Sequence, residues 1–263
     1  MRHKLLFSFF IFLIVALPIR SKDFVLTSGQ TVVIACSPSE ELVVRTALEM
    51  LGRDIQTVLS STTQANEKTG EIVIGTVGQS ELISRTDIDV SALKGKKQAF
   101  LLSVSPEGKL IVAGSDKHGT AYGILEISRL LGVSPWEWWA DVTPEKKKLF
   151  KLSSKFQSLQ APSVEYRGIF INDEDWGLMP WSSQTYESSD IKGHIGPKTN
   201  ARIFELLLRL RANTYWPAMH ECTLPFFLTK GNREAAKKYG IFIGASHCEP
   251  MACSAAGEWK RRG

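Results

Sequence analysis

The sequence predicts an α/β protein in two parts: a small N-terminal α/β domain, then the first three strands of an incomplete (β/α)8 TIM barrel. Three observations carry that expectation. Apolar segments of strand length alternate with amphipathic segments of helix length along the chain. All seven tryptophans lie at or after Trp136, so the two parts differ in character. After residue 164 each apolar strand runs into a polar or acidic cluster, which would gather reactive side chains on one edge of a parallel sheet.

The first 21 residues read as an export signal. Arg2, His3 and Lys4 form a cationic head, Leu5 to Leu17 is an apolar core broken only by Ser8, and Pro18 ends it. A bilayer span takes about 20 apolar residues, so this core is short for one. A new N-terminus between Ala16 and Phe24 is expected, giving a secreted or periplasmic protein with no membrane attachment after cleavage. The composition is that of a globular protein, with 43% hydrophobic and 22% charged residues. Of the 32 basic residues, Arg2, Lys4 and Arg20 flank the signal, and the other 29 face 27 acidic ones. A mature charge near +2 leaves no electrostatic footprint for nucleic acid.

The first part, residues 22–162, opens with a strand at Thr31–Ala35. Ser37-Pro38-Ser39-Glu40 has the form of a capping box for a helix that carries Leu42, Val43, Ala47, Met50 and Leu51 and stops at Gly52. Glu71–Gly75 is a second strand. Phe100–Val104 and Leu110–Ala113 flank the turn Ser105-Pro106-Glu107-Gly108 as a hairpin. A helix from Lys117 to Leu131 ends at Gly132, with Tyr122, Leu125, Ile127 and Leu130 expected in the core. Gly75-Thr76-Val77-Gly78, Gly114 and Gly119 follow strands but form neither GxGxxG nor a Walker loop, so they read as turn glycines. A linker-like run, Thr143-Pro144-Glu145-Lys146-Lys147-Lys148, and polar residues up to Ala161-Pro162 place the boundary near Pro162. This part should survive as a folding unit.

Residues 163–263 follow a strand–helix rhythm: strand Val164–Ile171, helix Lys198–Arg211 packing through Ile203, Leu206, Leu207 and Leu210, strand Asn213–Ala218, a helix capped by Asn232 and closed by Gly240, and strand Ile241–Ala245. The strand ends carry Asn172, Asp173 and Glu174, then Trp216 and His220, then His247 and Glu249. The long loop after the first strand carries Trp176, Trp181 and Tyr186, aromatic residues suited to stacking on a sugar. A whole barrel takes about 250 residues, so some 100 residues are expected to hold only its start. The four cysteines, Cys36, Cys222, Cys248 and Cys253, make no disulfide framework; Cys248 and Cys253 could pair or stay free. A zinc-dependent barrel hydrolase is an alternative, since His220 with Cys222 and His247 with Glu249 are spaced to share a side, although the first strand offers no His pair. A non-catalytic fragment of a carbohydrate-active protein is the other.

Four segments closely resemble glycoside hydrolase family 115: Asn172-Asp173-Glu174-Asp175-Trp176-Gly177, Ile195-Gly196-Pro197-Lys198-Thr199, Asn213-Thr214-Tyr215-Trp216-Pro217-Ala218-Met219-His220 and Gly244-Ala245-Ser246-His247-Cys248-Glu249-Pro250-Met251. Tyr122-Gly123-Ile124 and Pro135-Trp136-Glu137-Trp138-Trp139-Ala140-Asp141-Val142 are similar to that family's N-terminal α/β domain. The resemblance implies a xylan α-1,2-glucuronidase that removes glucuronic or 4-O-methylglucuronic acid from glucuronoxylan or its oligosaccharides by inversion, without a cofactor and with homodimerisation open to the full-length form. It further implies that Asn172 and Asp173 bond sugar hydroxyls, Trp216 forms a wall and His220 or His247 faces the uronate, with Glu174 and Glu249 beside them. The catalytic acid and base are expected beyond Gly263, and this chain alone is expected to be inactive.

Overall fold

The computed structural model describes residues 21–172, 176–191, 193–217 and 224–245. Strands β1 (Phe24–Thr27) and β2 (Thr31–Ala35) lead into helix α1 (Leu42–Leu59). Then come β3 (Thr62–Asn66), β4 (Ile72–Thr76), the single turn α2 (Glu81–Ser84), β5 (Phe100–Val104), β6 (Leu110–Gly114) and α3 (Lys117–Leu131). The polar stretch before Pro162 holds two more strands, β7 (Leu149–Leu152) and β8 (Gln157–Gln160). Six strands form one sheet in the order β3-β2-β4-β6-β5-β8. Its β3, β2, β4 and β6 are parallel neighbours, and β5 pairs antiparallel with both β6 and β8. Strands β1 and β7 make a separate antiparallel ribbon.

The apolar runs of the central strands follow from burial on both faces. Val32, Ile34, Ile72, Ile74, Leu102 and Val112 enter the core under α1 and α3, while Val73, Leu101, Ile111 and Ala113 pack with Leu82, Ile83 and Leu93 on the other side. The hairpin and α3 match the sequence reading. Asp116 caps α3 by accepting from the Gly119 amide, and Gly132 closes it at φ 98°. Tyr122, Leu125 and Ile127 are buried, whereas Leu130 is half-buried.

Helix α1 departs from expectation at both ends. Its N-cap is Glu41, with no side-chain cap bond. Glu40 is instead buried and accepts from the Thr76 amide and hydroxyl, both at 2.8 Å. A carboxylate spent on β4 cannot also close a capping box. The helix then passes through Gly52 and ends at Ser60, φ 53°. Glycine inside a helix costs about 1 kcal/mol, and burial of Ile55, Val58 and Leu59 beyond it outweighs that. A Cβ at Gly52 would lie 3.0 Å from Thr63 Oγ1, so the glycine also lets β3 approach.

Beyond Pro162 the chain forms β9 (Gly168–Phe170), the short turn α4 (Leu178–Trp181), α5 (Pro197–Arg209), β10 (Thr214–Trp216), α6 (Asn232–Tyr239) and β11 (Phe242–Ile243). Strands β9, β10 and β11 are parallel, with β10 in the middle. This is the expected βαβαβ run with shorter strands. Leu210 is 47% exposed rather than packed, because α5 ends at Arg209 and Leu210 is its C-cap. Asn232 is the first residue of α6, not its cap; Gly231 fills that position. The Asn232 side chain donates to Ile195 O at 3.1 Å and accepts from Asn200 Nδ2 at 3.0 Å, tying α6 to the start of α5.

One core joins both parts. Ile203, Phe204, Leu207, Leu208, Tyr215, Tyr239 and Ile241 belong to the same buried cluster as the residues under α1 and α3. Helix α5 packs on α3, and α6 on α1. Arg209 bonds both carboxylate oxygens of Asp54 at 2.8 and 3.0 Å. Burial alone would lower the Arg209 pKa, and the hydrogen bonds and charge of Asp54 outweigh it, leaving it raised. Arg211, at φ 60°, reaches back to buried Glu126.

His118 is a second clasp between the parts. It is buried, and its Nε2–H donates to Gly240 O at 2.7 Å. Burial holds its pKa below the usual imidazole value of 6.5, with the Gly240 bond opposing. The unfolded chain therefore takes up a proton that the folded chain refuses. Stability is full above the unfolded value and falls as pH drops through it toward the depressed folded value. His118→Gln is expected to flatten the decline of Tm on acidification below about pH 6.5. An unchanged decline in the variant would remove His118 from the acid response.

Candidate functional site

The ends of β9, β10 and β11 are aligned by their ladder. Phe170 lies opposite Trp216, and Thr214 opposite Phe242. Ile171 N donates to Trp216 O at 3.0 Å, and Gly244 N donates to Tyr215 O at 2.9 Å. The chain thus leaves all three strands at one edge, where Asn172, Pro217 and Ala245 stand. Period-two alternation sends Tyr215 inward, fully buried against Phe204 and Phe226, and Trp216 outward at 43% exposure.

Trp216 is held on the open face. Its ring meets Phe170 edge-on at 6.1 Å, and a Cβ at Gly244 would overlap its indole nitrogen. Glycine is thus required where the indole crosses β11. Tyr166, Gly168, Ile169, Phe170, Thr214 and Trp216 line a shallow cleft of about 320 Å³. On this face Phe170 is 43% and Phe242 47% exposed. On the opposite face Tyr215 of β10 is buried against Phe204 of α5, while Ile169 of β9 is 40% exposed.

Of the residues expected at this edge, Asn172 and Trp216 are described, Asn172 exposed just past β9 and Trp216 at the end of β10. Asp173, Glu174, His220, His247 and Glu249 lie outside the described residues, as do Cys222, Cys248 and Cys253. The zinc alternative rests on that set. Among the described residues no group of His, Cys, Asp and Glu could hold a metal ion. Cys36 is free and half-buried, and burial pushes its thiol up to about 12, which makes it a poor nucleophile at neutral pH. Among the described residues no helix is long and apolar enough to cross a membrane.

The loop between β9 and α5 is tied to the first turn of α5. Glu187 Oε1 accepts from the Thr199 amide at 2.7 Å in the first turn of α5, where a carboxylate meets the positive end of the helix. Ser182 Oγ and Thr199 Oγ1 share a 2.7 Å bond. A Cβ at Gly196 would meet the Glu187 carboxyl at 2.5 Å, and Pro197 opens the helix, so Ile195-Gly196-Pro197-Lys198-Thr199 is a loop-to-helix joint.

The loop aromatics differ in role. Trp181 and Tyr186 stack at 5.2 Å and 14°, and both pack on Trp138, which Trp139 meets edge-on at 4.8 Å. Trp176 is 91% exposed and Trp181, despite its stacking, 37% exposed, whereas Tyr186 is half-buried. The Arg202 guanidinium lies 4.9 Å over the Trp138 ring and donates to Tyr186 Oη at 3.2 Å. Burial would lower the Arg202 pKa, and the Tyr186 hydroxyl and the Glu205 charge outweigh it. Sequence reasoning missed Arg202 and Glu187; the signal that could have pointed to Arg202 was the dense Trp136-Glu137-Trp138-Trp139 run, which needs a partner.

An α/β layer followed by parallel strand–helix units is also found in solved structures of low sequence identity. An inactive mutant of the Vibrio harveyi GH20 exo-β-N-acetylglucosaminidase superposes with TM-score 0.50 at 13% identity, over 86% of this chain and 34% of its own. A mutant Streptomyces plicatus β-hexosaminidase gives 0.52 at 10%, over 86% and 42%. These similarities speak to the fold alone. The family model described as glycosyl hydrolase family 115 matches residues 159–263. A solved family GH115 4-O-methyl-α-glucuronidase with specificity for decorated arabinogalactans is 78% identical over 92% of this chain, with TM-score 0.89. The chain belongs to glycoside hydrolase family 115. It spans about a third, 32%, of the length of that solved relative. None of the curated proteins matches it.

Proposed function

We propose that this chain supplies part of the substrate edge of an exported α-glucuronidase that hydrolyses (4-O-methyl)glucuronic acid side groups from a decorated plant polysaccharide. The observation that carries the reading is the 78% identity to a 4-O-methyl-α-glucuronidase over 92% of the chain. The strand-end position of Trp216 and Asn172 agrees with it. An indole wall stacks on the CH face of a sugar, and a carboxamide bonds its hydroxyls.

In this reading Asp173, Glu174, His220, His247 and Glu249 are further substrate-binding residues, with His220 or His247 serving the uronate. Hydrolysis proceeds with inversion. One carboxylic acid protonates the departing glycosidic oxygen while a carboxylate takes a proton from the water that attacks the anomeric carbon. Both groups belong to parts of the longer enzyme beyond these strands, so the 263-residue chain alone is inactive. The arabinogalactan specificity of the solved relative makes arabinogalactan the first polysaccharide to test and glucuronoxylan the second. Export follows from the cationic head and the apolar core Leu5–Leu17.

The test is release of the uronic acid from both polymers by a full-length family 115 enzyme carrying this segment, with the product anomer followed by proton NMR. The expected first product is the β-anomer of 4-O-methylglucuronic acid. An α-anomer as first product would overturn inversion, and no release from either polymer would overturn the substrate class.

A further inference from the structure

We propose that Trp138, in the first part of the chain, is a positioning residue for the substrate edge, acting through the loop between β9 and α5. This rests on the functional reading above. The loop connects the C-terminal end of β9 to the start of α5 at Pro197, so by topology it is one of the loops that follow the parallel strands at their C-terminal edge. Its described residues bury few apolar side chains of their own, chiefly Ile191 and Ile195. Its placement comes from outside. Trp181 and Tyr186 both lean on Trp138, at 6.1 and 5.2 Å. Arg202 of α5 covers the Trp138 ring, holds Tyr186 Oη with Nε, and pairs with buried Glu205 at 2.8 Å. The indole of Trp139 donates to Arg202 O at 3.1 Å, closing the assembly.

Trp138 is therefore the point where the first part, the loop and α5 meet. The segment that carries it is fixed in turn, since Glu137 lies 3.8 Å from Arg209. The same loop carries the exposed Trp176. Removing the Trp138 ring would free Trp181 and Tyr186 from their support and let the loop drift from the strand ends. A loop that contacts bound sugar equally in the ground and transition states affects KM and leaves kcat alone.

The test uses a full-length family 115 enzyme carrying this segment, as wild type, Trp138→Ala and Trp138→Phe. Trp138→Ala is expected to raise KM about tenfold with kcat within about twofold, and Trp138→Phe to recover most of the loss. Amide hydrogen exchange over residues 176–191 should quicken in Trp138→Ala, while α1 and α3 keep wild-type protection. Unchanged KM and unchanged loop exchange in an active Trp138→Ala enzyme would overturn the proposal and leave the functional reading standing. Equal losses in kcat and protection throughout the fold would mark Trp138 as merely structural and also overturn it. A wild-type enzyme inactive on uronosyl substrates would sink the functional reading, and with it the substrate role proposed for the loop. If Trp138→Ala does not fold, Trp138→Leu, which keeps apolar bulk without the ring, decides by the same loop exchange and KM.

Discussion

Replacing Arg209 by Met is expected to destabilise the chain by about 3–5 kcal/mol, the usual cost of breaking one side of a buried ion pair. The Arg209 and Asp54 side chains are 5% and 7% exposed and joined by two parallel hydrogen bonds. Without the guanidinium, the Asp54 carboxylate stays buried between α1 and α5 with no cation in contact. Arg209→Met keeps most of the volume, so the loss reports charge rather than a cavity. Adding Asp54→Asn should restore a large part of it, because the penalty lies in the stranded charge and not in the absent pair. Urea denaturation of the single and double variants measures both steps. A loss below about 1 kcal/mol for Arg209→Met would mean that water reaches the pair.

A fragment of residues 21–162 is expected to be far less stable than the described chain, against the sequence-based expectation of an independent first domain. The side of α1 and α3 away from the six-stranded sheet is covered by α5 and α6. His118 gives its hydrogen bond to Gly240, Tyr122 Oη donates to Ala212 O at 3.3 Å, and Thr46 Oγ1 donates to Lys238 O at 2.9 Å. Asp54 and Glu126 would lose Arg209 and Arg211. Each large apolar side chain returned to water costs about 1.5–3 kcal/mol, and a domain has only about 5–15 kcal/mol in all. The fragment should bind a dye for exposed apolar surface and melt well below the 263-residue chain. Cooperative melting at the same temperature would contradict the shared core.

The elements most legible in the sequence were those whose signals are local. The Ser105–Gly108 turn flanked by apolar runs marked the hairpin, and Gly132 marked the end of α3, because caps and turns are chosen by nearest neighbours. The capping box at Ser37–Glu40 misled for a tertiary reason: the Glu40 carboxylate bonds Thr76, a residue 36 positions away. Strands β7 and β8 went unseen because they sit at edges, where alternation is weak and polar side chains face water; Gln157-Ser158-Leu159-Gln160 has one apolar residue. In the site, position along each strand was enough to place Trp216 and Asn172 at one edge. The grip of Trp138 on the loop was not legible, since it reaches Trp181 and Tyr186, 43 and 48 positions away, through ring contacts that leave no period in the sequence.

The central claim, that the Trp216 end of β10 belongs to the uronosyl site, is tested most directly by steady-state kinetics of Trp216→Ala in a full-length family 115 enzyme carrying this segment, with a 4-O-methylglucuronosyl oligosaccharide as substrate. Loss of the indole wall should raise KM about tenfold, which corresponds to about 1.4 kcal/mol of binding, with the melting temperature little changed because the ring is 43% exposed. Wild-type KM and kcat in a folded Trp216→Ala enzyme would contradict the assignment of this strand edge to the substrate.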